Sequence, residues 1–265
     1  MIKDRFPRLK GLVLDMDGVL WRDNEAIGNL PQIFETIRKL GLSFVLATNN
    51  STQTVEAYQK KLNTFGVELE AWQILSSAVV CLAYFKEHFP KHAQVYIIGA
   101  PALEQSFKEA GFNVLGLDES KTADAVVVGL DKNVTYEKIR YANQHIRSGS
   151  TFIATNTDLT FPVPGGLIPG AGTIVKAVEV ASDTAPIVVG KPEAFLFEQA
   201  LKLMGTRPEE TLAIGDRLET DILGAQNAGL LNALVLSGVT SIEQAKQSGL
   251  KIDVIANDLW ELLHD

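Results

Sequence analysis

The feature of this 265-residue chain that most restricts its fold is the alternation of short apolar runs with segments of helical periodicity. Runs of this kind are typical of strands buried on both faces of a parallel sheet. The length suits two domains better than one open sheet of eight strands. The sequence therefore predicts an α/β fold with parallel strands covered by helices. The runs span residues 9–15, 42–48, 94–99, 123–129, 150–155, 185–190, 210–215 and 232–236.

Polar residues stand at the carboxyl ends of four of these runs. In open parallel sheets, ligands bind beyond the carboxyl ends of the strands. We therefore expect the polar residues to converge if the four strands share one sheet. They are Asp15 and Asp17 at the end of the first run, Thr48, Asn49 and Asn50 at the end of the second, Lys191 after the run 185–190, and Asp216 after the run 210–215.

The runs between residues 94 and 155 end without comparable chemistry, in "GAPAL", "GLDKN" and "TNTDL". This difference indicates a core built from both ends of the chain, with a second domain inserted between them. We predict a core of residues 1–78 and 186–265 and an inserted domain of residues 79–185.

The chemistry of the polar residues points to a cation and a phosphate. Carboxylates are the hard oxygen ligands that Mg²⁺ takes, and Asp221 follows Asp216 closely enough to support them. Lys191 and the Thr48-Asn49-Asn50 group offer cationic and neutral donors for phosphate oxygens. Two carboxylates at the end of one buried strand, Asp15 and Asp17, would repel each other, and a bound cation compensates them.

Each of these signals has a structural alternative. Asp15 and Asp17 are also typical of a solvated, helix-capping turn, and Asn49 and Asn50 of turn residues. Lys191 would then be a surface lysine before a proline that opens a helix. Asp216 and Asp221 would be a helix cap and a first-turn acid. Lys191 is not a P-loop lysine, because Pro192 stands where Ser or Thr would bind magnesium.

Composition excludes several classes of protein. A net charge of −8 and a pI near 5.1 argue against a nucleic-acid surface. No apolar run approaches the roughly 18 residues of a membrane span, and the first residues lack the apolar segment of a signal peptide. The single cysteine, Cys81, is predicted to be a buried apolar residue. We expect a soluble, cytoplasmic protein with neither nucleic-acid nor membrane partners.

Four motifs in order, "DMDGVL", "LATNNS", "VGKP" and "GDRLETD", resemble those of the haloacid-dehalogenase-like (HAD) phosphatases. The long insert, with "TNTDLTFPVPGGLIPGAG", is similar to the class-two cap of the NagD-type, or 4-nitrophenyl phosphatase, branch. The resemblance covers essentially the whole chain. It implies a three-layer α/β/α Rossmann-like core with a parallel sheet and an inserted α/β cap domain.

The resemblance also implies a role for each polar residue. Asp15 would be the nucleophile that carries an aspartyl-phosphate, and Asp17 the acid and base that serves the leaving group and then water. Mg²⁺ would be held by Asp15, by the backbone carbonyl of Asp17 and by Asp216, with Asp221 orienting metal-bound water. The phosphoryl oxygens would be held by Thr48, Asn49 or Asn50, and Lys191.

The implied activity is hydrolysis of a small phosphorylated metabolite, with 4-nitrophenyl phosphate as an artificial substrate. Asp158 and Phe161, in the insert, are expected to reach the substrate, and caps of this type often form homodimers. Two alternatives stay open: a phosphotransferase using the same aspartyl-phosphate, and a non-catalytic binding protein on the HAD fold. A metal-free dehalogenase fits poorly, because it would need neither Asp17 nor Asp216.

Overall fold

The computed structural model describes residues 1–117, 121–163 and 165–264. Within these ranges no helix is both long and apolar enough to cross a lipid bilayer. The strands are β1 (Gly11–Leu14), β2 (Trp21–Arg22), β3 (Glu25–Ala26), β4 (Ser43–Thr48), β5 (Ile74–Ser76), β6 (Gln94–Ile98), β7 (Asn113–Leu115), β8 (Ala125–Val128), β9 (Thr151–Ala154), β10 (Thr160–Val163), β11 (Gly166–Pro169), β12 (Ile187–Val188), β13 (Thr211–Gly215), β14 (Leu231–Val235) and β15 (Val254–Ala256).

Helices occupy most of the segments between the strands. A π-helical turn at Leu218–Ile222 and short 3₁₀ turns at Ala71–Gln73 and Pro208–Glu210 complete the regular structure of the described residues. The α-helices are α1 (Ile2–Arg5), α2 (Leu30–Lys39), α3 (Val55–Thr64), α4 (Ser77–His88), α5 (Pro101–Glu109), α6 (Tyr136–Arg147), α7 (Ala171–Ser182), α8 (Ala194–Met204), α9 (Leu223–Asn227), α10 (Ile242–Gln247) and α11 (Leu259–His264).

The chain divides into two compact units. The first unit comprises residues 1–48, 55–75 and 191–265, and the second comprises residues 49–54 and 76–190. The segment 49–54 belongs with the second unit because the Asn49 carbonyl accepts hydrogen bonds from Ser77 Oγ at 2.6 Å and Asn156 Nδ2 at 2.7 Å. The assignment of a catalytic core to residues 1–78 and 186–265, and of a cap to residues 79–185, stays a prediction.

The first unit is built on a six-stranded sheet in the order β15-β14-β13-β1-β4-β5. Strand β1 lies inside the sheet and pairs in parallel with both β13 and β4, so all four of its residues are buried. Leu12 and Leu14 pack into the same apolar cluster as Ile33 and Ile37 of α2. Alternation along a strand directs Val13 to the opposite face, which explains why the run is continuously apolar.

Helix α2 shows how the local sequence sets its ends. The Asn29 side chain accepts a hydrogen bond from the backbone N–H of Gln32, which caps the first turn. The helix ends at Lys39, and Gly41 follows with φ of +65°, a conformation that costs glycine little. The buried face of Leu30, Ile33 and Ile37 packs on the sheet, as the periodicity predicts.

One expectation about the sheets is wrong. The run 185–190 was expected to share a sheet with the strands that precede Asp15, Thr48 and Asp216. It forms β12 instead, whose Ile187 and Val188 pair in parallel with β9 of the second unit. Three of the four strands, β1, β4 and β13, share the six-stranded sheet.

The second unit contains a five-stranded sheet in the order β12-β9-β8-β6-β7, with every pair parallel. Helices α6 and α7 pack on it through an apolar cluster that includes Val126 and Val175. The rings of Phe85, Phe107 and Phe112 join α4, α5 and the turn after α5. Strands β10 and β11 form an antiparallel pair. The predicted α/β class, with parallel sheets and helical layers, is confirmed.

The buried side chain of His145 makes the stability of the second unit dependent on pH. Its Nδ1 faces the backbone N–H of Ala123 at 3.3 Å and therefore accepts its hydrogen. Burial lowers the pKa of His145 below its usual 6.5, so folding favours the neutral ring. This contribution is fully present above pH 6.5 and is lost as the pH falls through the lower pKa of the folded state.

We expect His145→Asn to flatten the decline in the free energy of unfolding between pH 7 and pH 5. Asparagine keeps an acceptor near Nδ1 and does not titrate in this range. Urea unfolding at several pH values measures the difference. His92→Asn is the matched control, because His92 is exposed and its φ of +65° suits asparagine. A slope that stays at the wild-type value in His145→Asn would contradict this account.

Candidate active site

Three carboxylates converge in the first unit. Asp15 directly follows β1 and Asp216 directly follows the neighbouring strand β13, so the two side chains leave the sheet at the same edge. Asp221 lies in the π-helical turn after β13. One carboxylate oxygen of each residue lies within 4.8 Å of the others. The chain thus brings together three of the four aspartates that the sequence predicted as ligands.

Lys191 joins this cluster as a buried cation. Its Nζ donates to Asp15 Oδ1 at 2.5 Å, to Asp221 Oδ1 at 2.6 Å and to the carbonyl oxygen of Ala47 at 3.1 Å. Only 3% of the residue is exposed, and the helix that follows begins at Ala194. The alternative of a surface lysine before a helix-opening proline is therefore wrong.

The charges in the cluster shift one another's pKa values. Burial alone would lower the pKa of Lys191, but the charges of Asp15 and Asp221 and their hydrogen bonds outweigh it, so the pKa is raised. Burial raises the pKa of Asp15, and repulsion from Asp221 and Asp216 adds to the effect against the attraction of Lys191. Burial and the charge of Asp221 raise the pKa of Asp216 to about 6. The protein alone therefore lacks positive charge at this site.

The oxygens that hydrogen bonds leave open fit a divalent cation. Asp216 Oδ1 is buried without a hydrogen-bond partner, whereas its Oδ2 accepts from the backbone N–H of Val239 at 2.7 Å. An unpaired buried carboxylate oxygen is costly unless a cation or donor meets it. Three carboxylates face one ammonium group, so a divalent cation would balance the charge. Hard oxygen donors in this number suit Mg²⁺.

The backbone around Asp216 is shaped to fit its carboxylate. Gly18 has φ of +85°, and a Cβ at this position would collide with the Asp216 carboxylate. The Ser237 hydroxyl donates to the Gly18 carbonyl at 2.7 Å and joins the loop after β14 to the turn after Asp17. Glycine is therefore required at position 18 for its conformation and for the close approach.

Magnesium is expected to stabilise the wild-type protein and to have little effect on Asp216→Asn. At 100 times Kd, binding to the folded state adds about 2.7 kcal/mol. The midpoint of thermal unfolding, compared between EDTA and Mg²⁺, measures this stabilisation. The rise in the midpoint should be smaller at pH 5 than at pH 7.5. Asp216 has a pKa of about 6, so at pH 5 it holds a proton that competes with the metal.

Asp183→Asn is the matched control for this experiment, since Asp183 is exposed at the end of α7 and its φ of +56° is one that asparagine adopts. Its response to magnesium should equal that of the wild type. An equal response in Asp216→Asn would show that the acidic cluster is not where the ion binds.

The side chain of Asp17 is not part of the acidic cluster. The residue is exposed, and its Oδ1 accepts a hydrogen bond from the indole Nε1 of Trp21 at 2.8 Å. The groups of the described residues that could surround an ion include Asp15, Asp216 and Asp221 but not the Asp17 carboxylate. This agrees with a part for Asp17 in proton transfer rather than in side-chain ligation.

The residues predicted to hold phosphate divide between the two units. Thr48 ends β4 in the first unit and hydrogen-bonds the buried hydroxyl of Tyr58, whose pKa is raised by burial and by the charge of Asp17. Asn49 belongs to the second unit, where its Nδ2 donates to both carboxylate oxygens of Asp158, at 3.1 and 3.3 Å. Asn50 Oδ1 accepts from the backbone N–H and the hydroxyl of Thr52, which gives it the part of a turn residue.

Phe161 lies on β10 in the second unit. Its ring packs against the apolar cluster on α6 and α7, and Lys132 Nζ lies 5.7 Å from its centre. The expectation that Asp158 and Phe161 reach the substrate stays a prediction.

Sequence reasoning missed three side chains near Asp17: Trp21, Tyr58 and Lys61. Trp21 is buried and carries the hydrogen bond to Asp17, and Lys61 Nζ lies 4.2 Å from the centre of its ring. Tyr58 and Lys61 occupy one helix, α3, whose pattern is that of an ordinary amphipathic segment. The only available signal was the four-residue spacing between Asp17 and Trp21.

Comparison with known proteins identifies the family. Residues 12–113 match the family model described as haloacid dehalogenase-like hydrolase, and residues 188–262 match one described as HAD-hydrolase-like. The 5'-nucleotidase YutF of Bacillus subtilis is 35% identical over 88% of this chain and 90% of its own length. The acid sugar phosphatase of Staphylococcus aureus is 32% identical over 96% of both chains. The chain belongs to the haloacid dehalogenase-like hydrolases.

Similar solved structures indicate the branch of this family that the chain resembles. A 4-nitrophenylphosphatase from Thermotoga maritima matches with a TM-score of 0.91 and 29% identity over 98% of both chains. NagD from Escherichia coli K-12 matches with a TM-score of 0.86 and 31% identity, over 96% of this chain and 98% of that one. A third match is the glycerol phosphate phosphatase Rv1692 of Mycobacterium tuberculosis, in complex with magnesium. Its TM-score is 0.88 and its identity 29%, over 97% of this chain and 77% of that one. The predicted resemblance to the NagD-type and 4-nitrophenyl phosphatase branch is confirmed.

Proposed function

We propose that this protein is a Mg²⁺-dependent phosphatase that hydrolyses small phosphomonoesters through an aspartyl-phosphate on Asp15. The observation that carries the proposal is the cluster of Asp15, Lys191, Asp216 and Asp221 at the carboxyl edge of the six-stranded sheet. The phosphatases among its relatives and structural neighbours support the same reaction class.

The proposed reaction divides into two phosphoryl transfers. An oxygen of the Asp15 carboxylate attacks the phosphorus, a P–O bond forms, and the ester P–O bond breaks. Asp17 gives its proton to the departing alkoxide, which leaves as an alcohol. Asp17 then takes a proton from water as the water oxygen attacks the phosphorus. The bond to Asp15 breaks, and inorganic phosphate and the free carboxylate result.

The cluster supplies the charge that these transfers require. Asp15 and Asp216 would hold Mg²⁺ together with the Asp17 carbonyl, and Asp221 would orient water bound to the ion. When bound, Mg²⁺ supplies positive charge that stabilises the phosphoryl oxygens. Lys191 fixes the rotamer of Asp15 through the 2.5 Å hydrogen bond and keeps a cation beside the attacking carboxylate. Positioning and charge neutralisation are what phosphoryl transfer mainly needs.

Substrate choice is proposed to rest on the inserted domain of residues 79–185. Closure of a cap commonly excludes water and commits the substrate to reaction. Phe161 and Asp158 are the proposed contacts. The names of the relatives direct the search to nucleoside monophosphates and sugar phosphates. A homodimer and a cytoplasmic location stay predictions.

The direct test is hydrolysis of 4-nitrophenyl phosphate at neutral pH, with Mg²⁺ and with EDTA. We expect release of 4-nitrophenol and phosphate with Mg²⁺ and none with EDTA. A panel of nucleoside monophosphates and sugar phosphates would then identify the substrate class. Mass-spectrometric detection of a phosphorylated acceptor would identify a phosphotransferase instead. Folded, metal-loaded protein that turns over no ester in the panel would contradict the proposal.

A further inference from the structure

The carboxylate of Asp17 is held at one oxygen only. Trp21 Nε1 donates to Oδ1 at 2.8 Å, and the other oxygen, Oδ2, accepts no hydrogen bond from any described residue. The backbone reinforces this geometry, because Gly18 N–H donates to the Trp21 carbonyl at 2.8 Å and Asp17 pairs with Trp21 as an isolated β-bridge. Asp17 and Trp21 are thus joined through both backbone and side chain.

The indole ring of Trp21 is itself fixed from its surroundings. The residue is 1% exposed, and its ring stacks on Phe65 with centres 6.0 Å apart. Lys61 Nζ lies 4.2 Å from the ring centre and donates to the Asp23 carbonyl at 2.7 Å, in the turn between β2 and β3. A cation over an indole face is attracted by the ring. The ring therefore has little freedom to turn its N–H away from Asp17.

The donor type decides what this contact does to Asp17. An indole N–H only donates, so the oxygen that faces it serves as an acceptor whether the carboxyl group is ionised or protonated. The transferable proton is then carried by Oδ2. A carboxyl group without this contact would spread over several rotamers and place the proton on either oxygen.

We propose that Trp21 is the positioning residue for Asp17, and that Lys61 supports it by holding the indole ring. The proposal rests on the proposed function, in which Asp17 protonates the leaving group. Trp21 acts through Asp17, so its removal should weaken protonation of the leaving group in the first transfer and activation of water in the second, while the attack by Asp15 stays intact. The second effect is common to every ester, so the first is measured as kcat/KM, which reports only the transfer to Asp15.

Leaving-group dependence separates this role from a purely structural one. 4-Nitrophenolate leaves readily without a proton, whereas an alkoxide depends on one. In Trp21→Phe we expect kcat/KM for an alkyl phosphate to fall by about 10- to 100-fold, a part of what a general acid contributes. For 4-nitrophenyl phosphate we expect kcat/KM to fall by less than about threefold. Phenyl phosphate should lie between the two.

A double-mutant cycle with Asp17→Asn gives the second readout. Once the acid is gone, its positioning residue has nothing to act on, so Trp21→Phe should cause almost no further loss in the Asp17→Asn background. Lys61→Met keeps the alkyl stem over the indole and removes the charge, and we expect the same selective loss at a smaller size. Trp72→Phe is the matched control, because Trp72 is 46% exposed on a 3₁₀ turn.

Each outcome bears on the proposal. Selective loss on alkyl phosphates in Trp21→Phe, absent in Trp72→Phe, supports it. Equal loss of kcat/KM on every ester, additive with Asp17→Asn, overturns it and makes Trp21 a packing residue. If Trp21→Phe does not fold, Lys61→Met decides in the same way. Wild-type protein measured in parallel separates the two levels: active wild type without the selective loss overturns only this inference, and inactive wild type overturns the proposed function with it.

Discussion

Replacing Asp15 with asparagine is expected to lower turnover of 4-nitrophenyl phosphate by 10⁴-fold or more, on the order of what removal of a catalytic nucleophile costs elsewhere. An amide oxygen is a poor nucleophile and cannot carry a phosphoryl group through two rapid transfers. Acid quenching of the working enzyme, followed by peptide mass spectrometry, should detect phosphate on Asp15 in the wild type only.

The fold of this variant should be retained. Asparagine has nearly the shape of aspartate and its carbonyl oxygen can accept the hydrogen bond from Lys191. It also removes a buried charge and its repulsion with Asp221 and Asp216; burial first, and then this repulsion, raise the pKa of Asp15. We therefore expect the metal-free variant to unfold at the same temperature as the wild type or higher. Asp183→Asn serves as the control for an innocuous change of the same type. Activity of Asp15→Asn within tenfold of the wild type would exclude Asp15 as the nucleophile.

Replacing Lys191 with methionine is expected to affect stability as well as activity. The ammonium group is buried and donates to two carboxylates, at 2.5 and 2.6 Å. Breaking a buried ion pair from one side costs about 3–5 kcal/mol, because the remaining charges lose their partner. Urea unfolding at pH 7.5 in EDTA should show a loss of this size, together with loss of turnover.

The loss of stability in Lys191→Met should be smaller under two conditions that neutralise the carboxylates. Lowering the pH protonates Asp15 and Asp216, whose pKa values are raised, and adding Asp221→Asn removes the repulsion between Asp221 and Asp15. Lys39→Met is the matched control, since Lys39 forms an exposed pair with Glu35 and should change stability little. A Lys191→Met protein as stable as the wild type in EDTA at pH 7.5 would mean that the buried cation is not required for folding.

The long apolar runs were sufficient to predict the strands at the centres of both sheets. Strands such as β1 and β8 are apolar throughout because both faces are covered. Short edge strands, such as β7 and β15, have three residues each and no pattern that distinguishes them from loops. The run 185–190 was recognised as a strand but assigned to the wrong sheet, because pairing partners are distant in sequence and leave no local signal.

The candidate site was predictable where chemistry and topology coincide. Asp15 and Asp216 follow neighbouring parallel strands, so their approach follows from strand order. Trp21 and Lys61 were not predictable, because the cation lies over a ring 40 positions earlier in the chain and both residue types have common structural roles. The contact of Asn49 with Asp158 joins residues 109 positions apart through loops, whose geometry no periodicity reports.

The position of β1 inside its sheet has a consequence for local opening of the molecule. Strand β1 pairs on both sides, and its four residues are buried, so its amides should exchange with solvent only when the whole unit unfolds. Strands β2 and β3 have two residues each and form a two-stranded sheet, whose further pairing among the described residues is the isolated bridge between Trp21 and Asp17. Their amides should exchange through small fluctuations. The proposed nucleophile, Asp15, thus follows the slowest-exchanging strand of the unit. Trp21, which positions the proposed acid, lies instead on a hairpin whose amides exchange faster.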